Sequence, residues 1–149
     1  MINTPFLQIQ LNLPSKVREF SKNQNWKELD VWVECELKPL GLIYIELSRF
    51  IQIQKTEHII SLREPESDED GIWHDDGSRA LAFTLSLTPN KSVDGGTLEL
   101  REKESLKTYD LETPGYGVLT IFKTGIDGYE HRVLRVEKGS RIMIAGWIN

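Results

Sequence analysis

The run Arg79-Ala-Leu-Ala-Phe-Thr-Leu-Ser-Leu-Thr88 sets large apolar side chains at Leu81, Phe83, Leu85 and Leu87. It sets small or hydroxylated ones at Ala80, Ala82, Thr84, Ser86 and Thr88. A period of two is the pattern of a strand, and two such unlike faces need an apolar layer on one side and room on the other. Downstream, Thr97–Arg101, Gly117–Phe122, His131–Val136 and Arg141–Ile148 read as further short strands, separated by turns rich in Gly, Pro, Asn and Asp. Upstream, His58–Leu62 is a short strand, followed by an acidic loop, 63–71, that contains Pro65. Leu7 to Leu13 alternates up to Pro14, and two helices are expected between these strands. One starts at Ser15, with Val17 and Phe20 on its apolar face; the other covers about 38–50, with Leu40, Tyr44, Leu47 and Ile51 spaced by three or four. The expectation is one mainly β domain over 1–149. Residues 1–57 form a helical support layer, and 58–149 form a jelly-roll core.

Composition narrows the function. The chain has 149 residues, 18 Lys plus Arg against 23 Asp plus Glu, and a net charge of −5, with no dense basic run. Gripping a phosphate backbone needs a basic face, so nucleic acid is not the expected partner. A lone Cys35 excludes an internal disulfide framework and any multi-cysteine zinc site. No apolar run is long enough for a membrane span, and the first residues lack the pattern of a signal peptide. A cytoplasmic protein without membrane association is expected.

Two of the three histidines carry the chemical signal. In Trp73-His74-Asp75-Asp76-Gly77 an extended backbone would send His74 and Asp76 to one face and Asp75 to the other. Alone, His-Asp-Asp-Gly reads as a solvated turn. His131, however, opens a later strand that antiparallel folding could return to the pair. Two imidazoles and one carboxylate would occupy one face of an octahedral ion and leave the opposite positions open, as in non-haem Fe(II) oxygenases. Arg141 follows ten residues later, past the turn at 137–140. Its guanidinium stays charged when buried and pairs bidentately with carboxylates. Arg141, Met143, Ala145 and Trp147 share one strand face, so Trp147 is expected to look into the same cavity.

These residues resemble a known family, the iron(II)- and 2-oxoglutarate-dependent dioxygenases, in their prolyl 4-hydroxylase-like branch. The resemblance rests on His74-x-Asp76, Gly95-Gly96-x-Leu98, Phe122 ahead of His131, and Gly139-x-Arg141 followed by Trp147, and covers about residues 58 to 149. It implies a double-stranded β-helix with iron held by His74, Asp76 and His131, and with Arg141 paired to the far carboxylate of 2-oxoglutarate. Thr84 and Ser86, on the even face of the long strand, and Leu98 are expected beside that cosubstrate. Arg79 and Trp147 are expected on the substrate side. The implied reaction uses O2 to hydroxylate a peptidyl residue of prolyl type, or a small molecule, with formation of succinate and CO2; ascorbate is a possible auxiliary reductant. Many relatives carry a tyrosine ahead of the His-x-Asp motif, whereas none lies between Tyr44 and Tyr109 here, which leaves the second cosubstrate contact open. The competing readings are a catalytically inactive jelly-roll binding module and a cupin-like metal enzyme of another reaction class. A base demethylase of the same superfamily fits less well, because position 147 is Trp where that branch has a second arginine. A lid is expected from the acidic stretch 63–73 or from 123–130.

Overall fold

The alternation at 81–88 is realised by burying both faces. The structure is a computed structural model that describes residues 2–149. In chain order it contains β1 (Phe6–Gln10), α1 (Ser15–Lys22), α2 (Trp26–Glu36), α3 (Leu42–Leu47), β2 (Thr56–Arg63) and β3 (Leu81–Ser86). There follow β4 (Asp94–Gly95), β5 (Leu98–Arg101), β6 (Thr108–Leu111), β7 (Val118–Lys123), β8 (Glu130–Val133), β9 (Val136–Lys138) and β10 (Arg141–Ile148). The large sheet is antiparallel in the order β1-β7-β3-β10-β2, and a smaller sheet has the order β6-β5-β8; β4 and β9 form a short ribbon. This is the expected jelly-roll with helices against one sheet.

Leu81, Phe83, Leu85 and Leu87 face the helices and join Val17, Leu29, Trp32, Val33, Ile43 and Leu47 in the main core. Burying each such Leu, Val or Phe side chain contributes roughly 1.5–3 kcal/mol, so this layer fixes the register of β3. The opposite face of β3 meets the small sheet, where Ala82 and Phe122 pack with Leu98, Leu100 and Leu111. Antiparallel pairing sets Met143 opposite Ser86, Ala145 opposite Thr84 and Trp147 opposite Ala82. It also sets Arg141 opposite Arg63 on the other neighbour of β10.

Three elements differ from the sequence expectation. Trp26–Glu36 is a helix of its own, with Leu29, Trp32 and Val33 buried. The following helix begins only at Leu42, because Leu40 takes a positive φ of 73° and is 90% exposed, so it turns the chain instead of packing. Thr108–Leu111 adds an edge strand to the small sheet. Among the described residues, no helix is long and apolar enough to cross a membrane.

Candidate metal centre and anion pocket

His74 and His131 are brought together by backbone. They form an isolated antiparallel bridge, with the His74 N–H donating to the His131 carbonyl at 3.1 Å and the His131 N–H donating to the His74 carbonyl at 2.8 Å. Their rings lie 4.3 Å apart, and Phe122 meets the His131 ring edge-on at 5.1 Å. Trp73 anchors the segment from outside. Its ring is covered by the guanidinium groups of Arg101 and Arg132, at 4.2 and 4.5 Å from the ring centroid. Those arginines are held in turn by Glu130 and Glu99.

Asp76 reaches the same point. Its Oδ1 lies 3.9 Å from His74 Nε2 and its Oδ2 lies 3.6 Å from His131 Nε2. One ligand atom from each residue falls within 4.8 Å of the others, so the three could hold a metal ion. Neighbouring groups prepare two of them. His74 Nδ1 lies 2.8 Å from the Ile72 carbonyl, which can only accept, so Nδ1 donates to it and Nε2 is the ring nitrogen left facing the site. Thr124 Oγ1 donates to Asp76 Oδ2 at 2.7 Å, which fixes the carboxylate. Asp75 points away, as expected, and accepts from Lys103 Nζ at 2.7 Å.

Burial pushes the His131 imidazole down to about 4. The nearby Asp76 carboxylate pulls the other way, and His74 adds to the lowering. His131 is therefore neutral at pH 7, as a metal ligand must be. In the metal-free protein this sets a pH dependence. Between pH 6.5 and about 4 the unfolded chain binds a proton at this residue that the folded chain does not, so stability falls as pH falls through that window. The expected slope from this group is at most about 1.4 kcal/mol per pH unit. Urea unfolding in the presence of a chelator, compared with His131→Asn, measures it; equal slopes for the two proteins would contradict it.

A cavity of about 200 Å³ lies between the two sheets beside these residues. Ile59, Ser61 and Arg63 line it from β2, Ala82 and Thr84 from β3, and Arg141, Met143, Ala145 and Trp147 from β10. His74, Leu98, His131 and Val133 line it from the opposite side. Arg141 is only 3% exposed, and its Nε meets no hydrogen-bond partner. Among the described residues it has no ion-pair partner. Burial, with Arg63 close by, lowers its guanidinium to about 10. Gly96 makes room for it, since a Cβ at that position would stand 2.6 Å from Arg141 Cδ. Of the glycine pair singled out in the sequence, Gly96 is thus a packing requirement of the arginine, reinforced by its positive φ of 68°, while a Cβ on Gly95 would meet the Arg135 carbonyl.

The expected site residues therefore separate. His74, Asp76 and His131 converge, and Arg141, Thr84, Leu98 and Trp147 line one cavity with the histidines. Ser86 does not reach it, because its hydroxyl is turned to donate to the Pro114 carbonyl at 2.8 Å. Arg79 stands at the rim, paired with Glu57 at 2.7 Å and lying over the Trp147 ring at 5.0 Å. The acidic loop is tied down beside β9, where Asp70 accepts from the Arg135 N–H at 2.8 Å and the Gly71 N–H donates to Val133. Sequence reasoning missed Thr124 and Arg63. Nothing in the sequence signals Thr124, whereas Arg63 continues the alternation of Ile59 and Ser61 by one more step.

The donor set of two imidazoles and one carboxylate fits a divalent iron, and the buried guanidinium, unpaired among the described residues, fits a carboxylate ligand. Comparison with known proteins agrees. Residues 64–149 match the family described as the 2OG-Fe(II) oxygenase superfamily. The chain is 33% identical over 79 residues, 53% of its length, to a PKHD-type hydroxylase of Prochlorococcus marinus, and spans only 33% of that relative. Among solved structures, a Pseudomonas putida prolyl-4-hydroxylase superposes with a TM-score of 0.68 at 20% identity, covering 99% of this chain and 89% of that one. A Trichoplax adhaerens prolyl hydroxylase, solved in complex with a hypoxia inducible factor peptide fragment, superposes with a TM-score of 0.63 at 18% identity. That match covers 98% and 84% of the two chains.

Proposed function

Because the chain belongs to the 2OG-Fe(II) oxygenase superfamily and carries the fold of its prolyl 4-hydroxylases, we propose that it is an Fe(II)- and 2-oxoglutarate-dependent hydroxylase. In this reading His74, Asp76 and His131 hold the iron, and Arg141 holds the far carboxylate of 2-oxoglutarate. One observation carries it. A buried cation that has no counter-ion among the described residues shares a small cavity with two histidines whose Nε2 atoms converge on one carboxylate. Iron and 2-oxoglutarate, when bound, supply the oxidising chemistry: R–H, 2-oxoglutarate and O2 become R–OH, succinate and CO2.

The protein's own residues bind, orient and exclude water. Thr84 offers a hydroxyl to the cosubstrate, while Leu98, Val133 and Met143 keep the cavity walls apolar. Trp147 reaches from the cavity to its rim, where Arg79 stacks on it and is held by Glu57. These two residues would meet a substrate, either a peptidyl residue of prolyl type or a small molecule of similar size. The peptide bound by the Trichoplax relative supports the first. A cytoplasmic location completes the proposal.

Anaerobic addition of Fe(II) and 2-oxoglutarate tests it. A visible charge-transfer band, and succinate formed on admitting oxygen, are expected. Absence of both for the wild-type chain would end the reading. Thr124 supplies a finer test. Thr124→Val removes the hydroxyl that fixes Asp76 and is expected to weaken Mn(II) binding about 10–100-fold, with Thr124→Ser close to wild type. Calorimetric titration with Mn(II) reads both variants.

A further inference from the structure

Arg63 and Arg141 are direct Cα partners across the β2–β10 pair, and both side chains line the same cavity. Directly opposed residues on one sheet face have Cβ atoms about 4.5–5.5 Å apart, a distance at which like charges repel. Neither arginine forms an ion pair or a side-chain hydrogen bond among the described residues, although acids are plentiful nearby. Two acids of the loop that follows Arg63 are engaged elsewhere: Glu64 accepts from the Ser140 hydroxyl at 3.4 Å, and Asp70 accepts from the Arg135 N–H. The fold thus places two guanidinium groups against each other, one of them almost fully buried, with nothing of its own to neutralise them. The lowering of the Arg141 guanidinium by burial and by Arg63 is a further sign of that stress.

We infer that Arg63 is a second anion-binding residue of the cosubstrate pocket, and that Arg63 and Arg141 grip the far carboxylate of a dicarboxylate between them. The inference rests on the hydroxylase reading for the identity of that dicarboxylate, but not for the existence of the anion site. A carboxylate has about four lone-pair positions and can accept from two guanidinium forks at once. On the same face of β2, Ser61 and Ile59 continue the wall toward the rim. Arg63 therefore stands at the end of the pocket where Arg141 lies. No tyrosine between Tyr44 and Tyr109 is present to fill that role.

Two physical consequences follow. The empty pocket stores like-charge repulsion, so removing Arg63 relieves the empty protein. A filled pocket needs Arg63, so the same change weakens the ligand. A residue with a merely structural role would lower both stability and affinity.

Titration of the Mn(II)-loaded protein with 2-oxoglutarate, and with 2-oxopentanoate, which lacks the far carboxylate, separates these outcomes. For Arg63→Gln, affinity for 2-oxoglutarate is expected to fall about 10–100-fold, with affinity for 2-oxopentanoate and for Mn(II) unchanged. The melting temperature of the metal-free variant is expected to rise by about 2–4 °C. Arg63→Lys should bind 2-oxoglutarate with intermediate affinity, since it keeps the charge and loses the fork. Equal 2-oxoglutarate affinity in Arg63→Gln and wild type would overturn the inference while leaving the hydroxylase reading intact. So would an equal loss for both ligands, or a lowered melting temperature. If the wild type bound no Mn(II) and formed no succinate, the hydroxylase reading would fall. Metal-free melting with succinate would then still decide the anion site: a shift that Arg63→Gln abolishes supports it, and no shift in the wild type overturns it.

Discussion

Asp76→Ala is expected to abolish succinate formation and to weaken Mn(II) or Fe(II) binding by more than about 1,000-fold, well beyond the 10–100-fold typical of losing a group that only orients a ligand. The change removes the single carboxylate of the group and leaves two imidazoles. It also strands the Thr124 hydroxyl, whose partner is Asp76 Oδ2. Since the Asp76 side chain is only 6% exposed, Asp76→Asn serves as the shape-conserving control. It retains an oxygen for Thr124 and loses the charge. Both variants should lose metal, while only the Ala variant should lose appreciable stability, because an unpaired buried hydroxyl costs about 1–3 kcal/mol. Mn(II) calorimetry, anaerobic absorbance and urea unfolding read the three effects separately. Retention of wild-type Mn(II) affinity in Asp76→Asn would remove Asp76 from the metal centre.

The readable parts of this molecule are those where local pattern and tertiary environment agree. The alternation from Leu81 to Leu87 was legible because one face packs on helices and the other on a cavity, so each residue type reports its side. The convergence of His74 and Asp76 was legible from a spacing of two, and Arg141 from its place on the face shared with Met143 and Trp147. The bridge that joins His74 to His131 is a pairing of distant segments that no local pattern encodes.

The misread parts are places where a side chain's chemistry admitted two partners. Leu40 extended an apolar stripe on paper, yet it is exposed in a turn between Pro39 and Gly41, which delays the third helix. Ser86 lies on the cavity side of its strand, but its hydroxyl donates to the Pro114 carbonyl instead of facing the cavity. Arg63 looked like the first residue of an acidic loop, whereas β2 continues through it and carries its side chain into the pocket.

Arg141→Gln is expected to weaken 2-oxoglutarate binding about 30–1,000-fold, the loss typical when one partner of a buried charge pair is removed. Mn(II) affinity should be unaffected, since Arg141 lines the cavity from β10 and His74 and His131 line it from the opposite side. The turnover rate at saturating cosubstrate should fall far less than the rate at low concentration, because in the proposed reading the guanidinium would hold the carboxylate remote from the reacting end. The empty protein should become more stable, as a buried cation without a partner is exchanged for a neutral amide. Arg141→Lys should not restore affinity, because an ammonium is a point charge and offers no fork to grip both oxygens of a carboxylate. Combining Arg141→Gln with Arg63→Gln then asks whether the two residues act on one group. If both grip the same carboxylate, the double variant should bind 2-oxoglutarate only slightly more weakly than Arg141→Gln alone. Fully additive losses would mean that the two guanidinium groups serve different parts of the ligand.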